Sequence, residues 1–91
     1  MSSTKFKVFL EKNAEKELQL LDSSTRERIT EQLRKLRDGF SPELDIKKLK
    51  GYKSYYRLRV GDYRAIFDLQ PEYTIIILSV LPRKKAYKRE L

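Results

Sequence analysis

The spacing of apolar residues changes along the chain, and each change marks an element. In residues 5–10, Phe6, Val8 and Leu10 alternate with Lys5, Lys7 and Phe9, the two-residue period of a strand. From Lys12 to Leu21 the spacing lengthens, with Ala14, Leu18 and Leu21 at the i, i+4, i+7 positions of an amphipathic helix. Asp22-Ser23-Ser24-Thr25 interrupts that helix and starts another. Ser24 followed by Glu27 predicts a capping box, each side chain satisfying a free backbone N–H of the first turn. The second helix runs to about Arg37, with Ile29, Leu33 and Leu36 on one stripe. Asp38-Gly39 ends it, because glycine takes the left-handed conformation at low cost.

Phe40–Leu44 contains Ser41-Pro42 and reads as a loop; beyond it the chain is strand-like. Tyr55–Val60 and Tyr63–Leu69 flank Gly61-Asp62, a two-residue turn of the kind that closes a tight hairpin. Gln70-Pro71-Glu72 makes the next turn. Tyr73–Leu81 is apolar on both faces, as in a strand covered on both sides. Pro82 stops it, and Arg83–Leu91 is a basic tail able to form a short helix. The order β-α-α-β-β-β predicts one α+β domain over residues 1–91, its helical hairpin packed on one face of an antiparallel sheet.

Closing the hairpin at Gly61-Asp62 fixes its pairs: Val60 with Tyr63, Arg59 with Arg64, Leu58 with Ala65, Arg57 with Ile66, Tyr56 with Phe67. Side chains alternate faces, so Tyr56, Leu58, Val60, Tyr63, Ala65 and Phe67 form the core side. The other face receives Tyr55, Arg57, Arg59, Arg64 and Ile66. Three arginines thus share a small patch, two of them directly opposed. Like charges so placed destabilise a sheet. An anionic ligand removes the repulsion, and guanidinium forks suit phosphate oxygens. The competing reading is a solvated sheet face with Asp68 balancing one charge.

Charge sharpens the picture because it is uneven. The net charge is +8 over 91 residues. Residues 1–45 carry nine Lys/Arg and nine Asp/Glu, whereas residues 46–91 carry twelve and four. The basic half also holds all six tyrosines. A neutral scaffold joined to a cationic, tyrosine-rich surface points to a polyanion. Lys47, Lys48, Lys50 and Lys53 read as a solvated loop adding phosphate attraction, and Arg83-Lys84-Lys85 as a basic extension that can cover the same face. Tyr52, Tyr55 and Tyr56 are base-stacking candidates, with Tyr56 better placed for the core. Cysteine and histidine are absent, which removes thiolate chemistry and the commonest general base, and neither zinc nor another cofactor is expected. The N-terminus lacks an apolar signal region, and the longest apolar run, Ile75–Leu78, is too short for a bilayer. A cytoplasmic protein without membrane contact is expected.

The stretch Leu49-Lys50-Gly51-Tyr52-Lys53-Ser54-Tyr55-Tyr56-Arg57-Leu58-Arg59-Val60-Gly61-Asp62-Tyr63-Arg64-Ala65-Ile66-Phe67 closely resembles the RelE family within the RelE/ParE superfamily of toxin–antitoxin toxins. That family shows a Lys-Leu-x-Gly segment, a Tyr/Trp-Arg-Ile/Leu-Arg strand, then Gly-Asp-Tyr-Arg and an apolar strand. The likeness extends over nearly the whole chain, from two amphipathic helices to the Ile-rich strand ending in Arg83 and Tyr87. It implies a small cytoplasmic toxin. RelE-type members enter the ribosomal A site and cleave messenger RNA; ParE-type members share the fold and inhibit DNA gyrase without catalysis. The implied partners are the ribosome with its mRNA, and a short acidic RelB-like antitoxin encoded by the neighbouring gene. Operator DNA is reached only through that antitoxin.

Cleavage in this family proceeds by attack of a ribose 2′-hydroxyl on the adjacent phosphate, which needs a proton acceptor, cations and a donor to the leaving oxygen. By position, the resemblance makes Arg64, Arg83 and Tyr87 the catalytic set. Arg57 and Arg59 fall at strand positions that are lysines in the best-known RelE-type enzymes, and with Lys50, Lys53, Lys84 and Lys85 they bind phosphates. Arginine does not give up its proton, so Arg57 and Arg59 are not bases. Tyr87 is the candidate base, or else it stacks on the nucleotide. A free phenol titrates near pH ~10, so the former role requires nearby arginines to favour phenolate. The alternative is catalysis by positioning and charge, with the ribosome aligning the RNA.

Overall fold

Helices form where the apolar spacing is helical, and their stripes meet one face of a sheet. The computed structural model describes residues 5–85. Its elements are β1 (Lys7–Leu10), α1 (Lys12–Gln19), α2 (Ser23–Lys35), a 3-10 turn (Leu36–Asp38), β2 (Asp45–Lys48), β3 (Tyr55–Val60), β4 (Tyr63–Gln70) and β5 (Thr74–Pro82). The strands form one sheet in the order β1-β5-β4-β3-β2. Backbone at residues 83–85 is helical, and the rest of the basic tail lies outside the described residues.

The α+β class and the helical hairpin on one sheet face agree with the sequence. Two features add to it. Lys47 and Lys48 belong to an edge strand, β2, that pairs antiparallel with β3, rather than to a loop. Four residues ending in two lysines are too short and polar to show a strand period. The other feature is direction: β1 runs parallel to β5, while the remaining neighbours are antiparallel. The helices carry the chain from one strand to the far side of the sheet, and local alternation does not report that crossover.

The start of α2 also differs from expectation. Asp22, not Ser24, is the N-cap, so the Ser24–Glu27 box does not form. One Asp22 oxygen accepts from the Thr25 backbone N–H at 3.1 Å and the other from the Thr25 hydroxyl at 2.7 Å. A carboxylate satisfies two donors and complements the helix dipole, which a serine hydroxyl does less well. Those bonds to Thr25, the hydroxyl first, hold the Asp22 carboxyl below its ordinary value of 3.8.

The core joins Ala14, Leu18, Ile29, Leu33 and Leu36 to Leu58, Val60, Ala65, Phe67, Ile75, Ile77 and Val80. Phe67 is wholly buried, with the rings of Phe40 and Tyr56 packed against it. A bulge in β5 makes this face continuous: Ile66 pairs with Ser79 but Phe67 pairs with Ile77, leaving Leu78 as an extra residue. Alternation from Ile75 and Ile77 would otherwise bring Ser79 to the core; the bulge brings Val80. Beyond the last β1 residue, side chains of α1 replace the missing strand. Asn13 Nδ2 donates to the Leu78 carbonyl at 3.2 Å, and Glu17 accepts from the Val80 N–H at 2.8 Å. These bonds satisfy part of an edge that would otherwise expose backbone groups.

The β4–β5 turn is strained, since Glu72 (φ 62°) and Tyr73 (φ 55°) are both left-handed without being glycine. Each such residue costs about 1–2 kcal/mol, and glycine returns some of that as unfolded-state entropy. Glu72→Gly should therefore stabilise the fold by about 0.5–1 kcal/mol, a rise of a few degrees in Tm. A lower Tm in a thermal melt would contradict the strain argument. Asp22→Ala should lower Tm near neutral pH. Because the folded carboxyl titrates below its unfolded counterpart, the cap stabilises fully above the ordinary carboxylate value and loses this contribution as pH falls through the folded value. The gap in Tm between parent and variant should close accordingly in melts taken at progressively lower pH.

Candidate nucleic-acid interface

The β3–β4 hairpin sets which side chains face away from the helices. Its two-residue turn has a positive φ only at Gly61 (58°), the first central position, as in a type II′ turn. The pairs are those the sequence implies: Val60 with Tyr63, Arg59 with Arg64, Leu58 with Ala65, Arg57 with Ile66 and Tyr56 with Phe67. Leu58, Val60, Ala65 and Phe67 therefore enter the core, and Arg57, Arg59 and Arg64 share the opposite face. The neighbouring strands extend that face in rows. Asp45, Arg59, Arg64 and Leu81 form one row; Lys47, Arg57, Ile66 and Ser79 form the next.

The three arginines differ in exposure. Arg59 is exposed, Arg57 half-buried, and Arg64 only 7% exposed. Arg64 Nη1 donates to the carbonyls of Gly61 and Tyr63, each at 3.0 Å, so this guanidinium is fastened across its own turn. The two carbonyl dipoles compensate part of its charge, which eases the like-charge conflict with Arg59, its directly opposed neighbour. Arg59 also has Asp45 opposite on the β2 side, but forms no ion pair among the described residues. Asp68 is bonded by the Ser54 hydroxyl and the Gln70 amide.

Other cations gather at the same turn. The Arg83 backbone N–H donates to the Asp62 carbonyl at 2.8 Å, which brings the start of the basic tail to the hairpin end. The Arg83, Lys84 and Lys85 side chains are exposed. Tyr87 lies outside the described residues. From the helical side, Arg28 of α2 reaches over the turn, its Nη2 lying 3.0 Å from where a Cβ on Gly61 would stand. Arg28 and Arg59 also line a groove of about 600 Å³ between α2 and the hairpin, together with Glu27 and Glu31. Sequence reasoning missed Arg28. It sits on the charged outer side of a helix, and only the packing of α2 on β3 brings it to Gly61.

At the other end of the face, the loop between β2 and β3 folds back on the sheet. Leu49 N–H donates to the Tyr55 carbonyl at 2.9 Å, and Leu69 N–H to the Ser54 carbonyl at 2.8 Å. Within it Tyr52 stacks on Tyr55, ring centres 5.0 Å apart and planes 5° from parallel. Lys50 and Lys53 flank this pair, exposed. Tyr56 points into the core, edge-on to Phe40 at 5.2 Å. The arrangement is a strip of cations with an aromatic pair at one end and the start of a basic helix at the other. It can hold a chain of phosphates and bases.

Residues 8–87 match the family described as the ParE toxin of the type II toxin–antitoxin system parDE. Toxin RelE3 of Methanocaldococcus jannaschii is 53% identical over 45 residues, half of each chain. The RelE1 protein of the same organism is 33% identical over 87 residues, covering 92% of this chain and 97% of that one. Among solved structures, the RelB-RelE antitoxin–toxin complex from Methanococcus jannaschii has a similar chain. Its TM-score is 0.74 at 36% identity, covering 87% of this chain and 94% of that one.

Burial separates a structural arginine from an exposed one. Arg64→Ala removes the donor to two carbonyls and should cost about 1–3 kcal/mol in urea unfolding, whereas Arg59→Ala should stay within about 0.5 kcal/mol of the parent. Equal effects of the two substitutions would refute the assignment of Arg64 to the turn.

Proposed function

Given that this chain belongs to the ParE toxin family of type II toxin–antitoxin systems, we propose that it is a ribosome-dependent messenger RNA endonuclease of the RelE type. The observation that supports this reading most is the joining of two cationic segments at one turn. Arg57, Arg59 and Arg64 lie on one sheet face, and the Arg83 N–H is bonded to the carbonyl of Asp62 at the end of that row. A surface that only binds protein has no need to collect three arginines on one sheet face.

In this mechanism Arg57 and Arg59 hold phosphates on either side of the scissile bond, helped by Lys50, Lys53, Lys84 and Lys85. The ribose 2′-oxygen forms its bond to phosphorus as the bond to the 5′-oxygen breaks, leaving a 2′,3′-cyclic phosphate and a 5′-oxygen that Arg83 hydrogen-bonds and water protonates to the 5′-hydroxyl. Charge grows on the phosphoryl oxygens, and Arg83 stabilises it. Arg64, fixed by the carbonyls of Gly61 and Tyr63, adds positive charge from beneath without needing to reorganise. Tyr87 takes the 2′-proton or stacks on the nucleotide. Positioning supplies the remainder, with the ribosome presenting the RNA in line.

The partner that restrains this activity is a RelB-like antitoxin, as in the RelB-RelE complex of Methanococcus jannaschii. The surface away from the arginines suits it. A groove of about 240 Å³ is lined by Val8, Leu10, Leu18 and Leu33 and rimmed by Arg34 and Arg37. An acidic segment with apolar anchors matches that lining. The site of action is the cytoplasm, where ribosomes are. No helix among the described residues is long and apolar enough to cross a membrane.

The family match favours a second reading, a toxin that inhibits DNA gyrase by protein contact. Induced expression separates the two. Arg83→Ala should lower codon-associated mRNA cleavage by about 100- to 1,000-fold, read by primer extension, while ribosome binding persists. Gyrase supercoiling should be unaffected by the parent protein. Inhibited supercoiling with intact mRNA would replace the nuclease reading by the gyrase one.

A further inference from the structure

The stacked pair Tyr52–Tyr55 has no part in the chemistry above, yet its form is specific. Two rings lie 5.0 Å apart within 5° of parallel, and the outer one, Tyr52, is 43% exposed. An isolated surface tyrosine samples many rotamers. This one is braced by a second ring, and that ring stands on a strand in the sheet. The loop carrying Tyr52 is itself fixed. It turns at Gly51, whose φ of 84° favours glycine, and is pinned by the Leu49–Tyr55 and Leu69–Ser54 backbone bonds. Ser54 further bonds to Asp68. The ordering cost of an aromatic platform has thus been met before any ligand arrives.

Its position gives it a ligand. Tyr55 projects from the same face as Arg57 and Arg59, two and four residues along β3, or about 7 and 14 Å at the usual strand rise. Lys50 and Lys53 stand on the same loop, exposed. Bases stack on aromatic rings whatever their identity, while cations beside the rings take the backbone. A peptide ligand would want apolar depth or free strand edges at this spot. The backbone of the loop is instead bonded to the sheet, and its cations lie beside an open ring face.

We propose that the exposed face of Tyr52 is a nucleobase-stacking site for the RNA strand held by Arg57 and Arg59, at a base away from the bond being cut. This rests on the nucleic-acid reading of the cationic face, and it adds a contact that positions the strand. Tyr55 is the brace and Tyr52 the contact.

The chain has no tryptophan, so Tyr52→Trp in this chain places a single indole at the site. Titration with a short single-stranded oligoribonucleotide should quench its fluorescence to saturation, and inorganic polyphosphate, an anion without bases, should not. Tyr52→Ala should bind the same RNA about 5- to 100-fold more weakly, and Tyr52→Phe close to the parent. Arg59→Ala serves as the control for the face as a whole, and melting curves confirm that each variant folds. RNA affinity lost in Arg59→Ala but unchanged in Tyr52→Ala, with no quenching, would overturn the stacking site and leave the cationic interface standing. Parent protein that binds no RNA would overturn both. Saturable quenching without cleavage would keep the site and remove the nuclease.

Discussion

Everything this surface does depends on the register of one hairpin. Gly61 allows the chain to reverse in two residues, and the reversal aligns Arg59 with Arg64 and Leu58 with Ala65. A slip of one residue would carry the arginines into the core and Leu58, Ala65 and Phe67 into solvent. Burial of those apolar side chains is worth about 1.5–3 kcal/mol for each large one. The cationic face is therefore stabilised indirectly: the core chooses the register, and the register gathers the guanidinium groups.

The gathered charges would repel if all three were equally placed. They are not. Arg64 lies under the surface with its guanidinium on two carbonyls of the turn, so part of its charge is compensated by backbone dipoles. Arg59 stays in solvent, where water screens it and a phosphate can reach it. One arginine thus braces the turn that positions the other. Arg28 and the Arg83 backbone meet the same turn from α2 and from the end of β5, so three separate parts of the chain converge on Gly61-Asp62.

The opposite side of the sheet solves a different problem. β1 pairs with only the first part of β5, and the rest of that edge needs partners. α1 supplies them through Asn13 and Glu17. β1 is the edge strand on this side among the described residues, and its Val8 and Leu10 line the apolar groove bordered by Arg34 and Arg37. The two faces are therefore chemically distinct, one cationic and aromatic, the other apolar with a basic rim.

Short-range chemistry fixed a great deal of this in the sequence itself. The periods of Ala14-Leu18 and Ile29-Leu33-Leu36, the Gly61-Asp62 turn, and hence the hairpin pairs and the shared arginine face are all consequences of residues close together in the chain. Tertiary structure decided what depends on distant residues. It made Lys47 and Lys48 part of an edge strand and set β1 parallel to β5. It also placed the bulge at Leu78, buried Arg64 and brought Arg28 to the turn. Alternation reports which face a side chain takes, but not its depth or what lies above it. Those are set by contacts between segments that no local pattern joins.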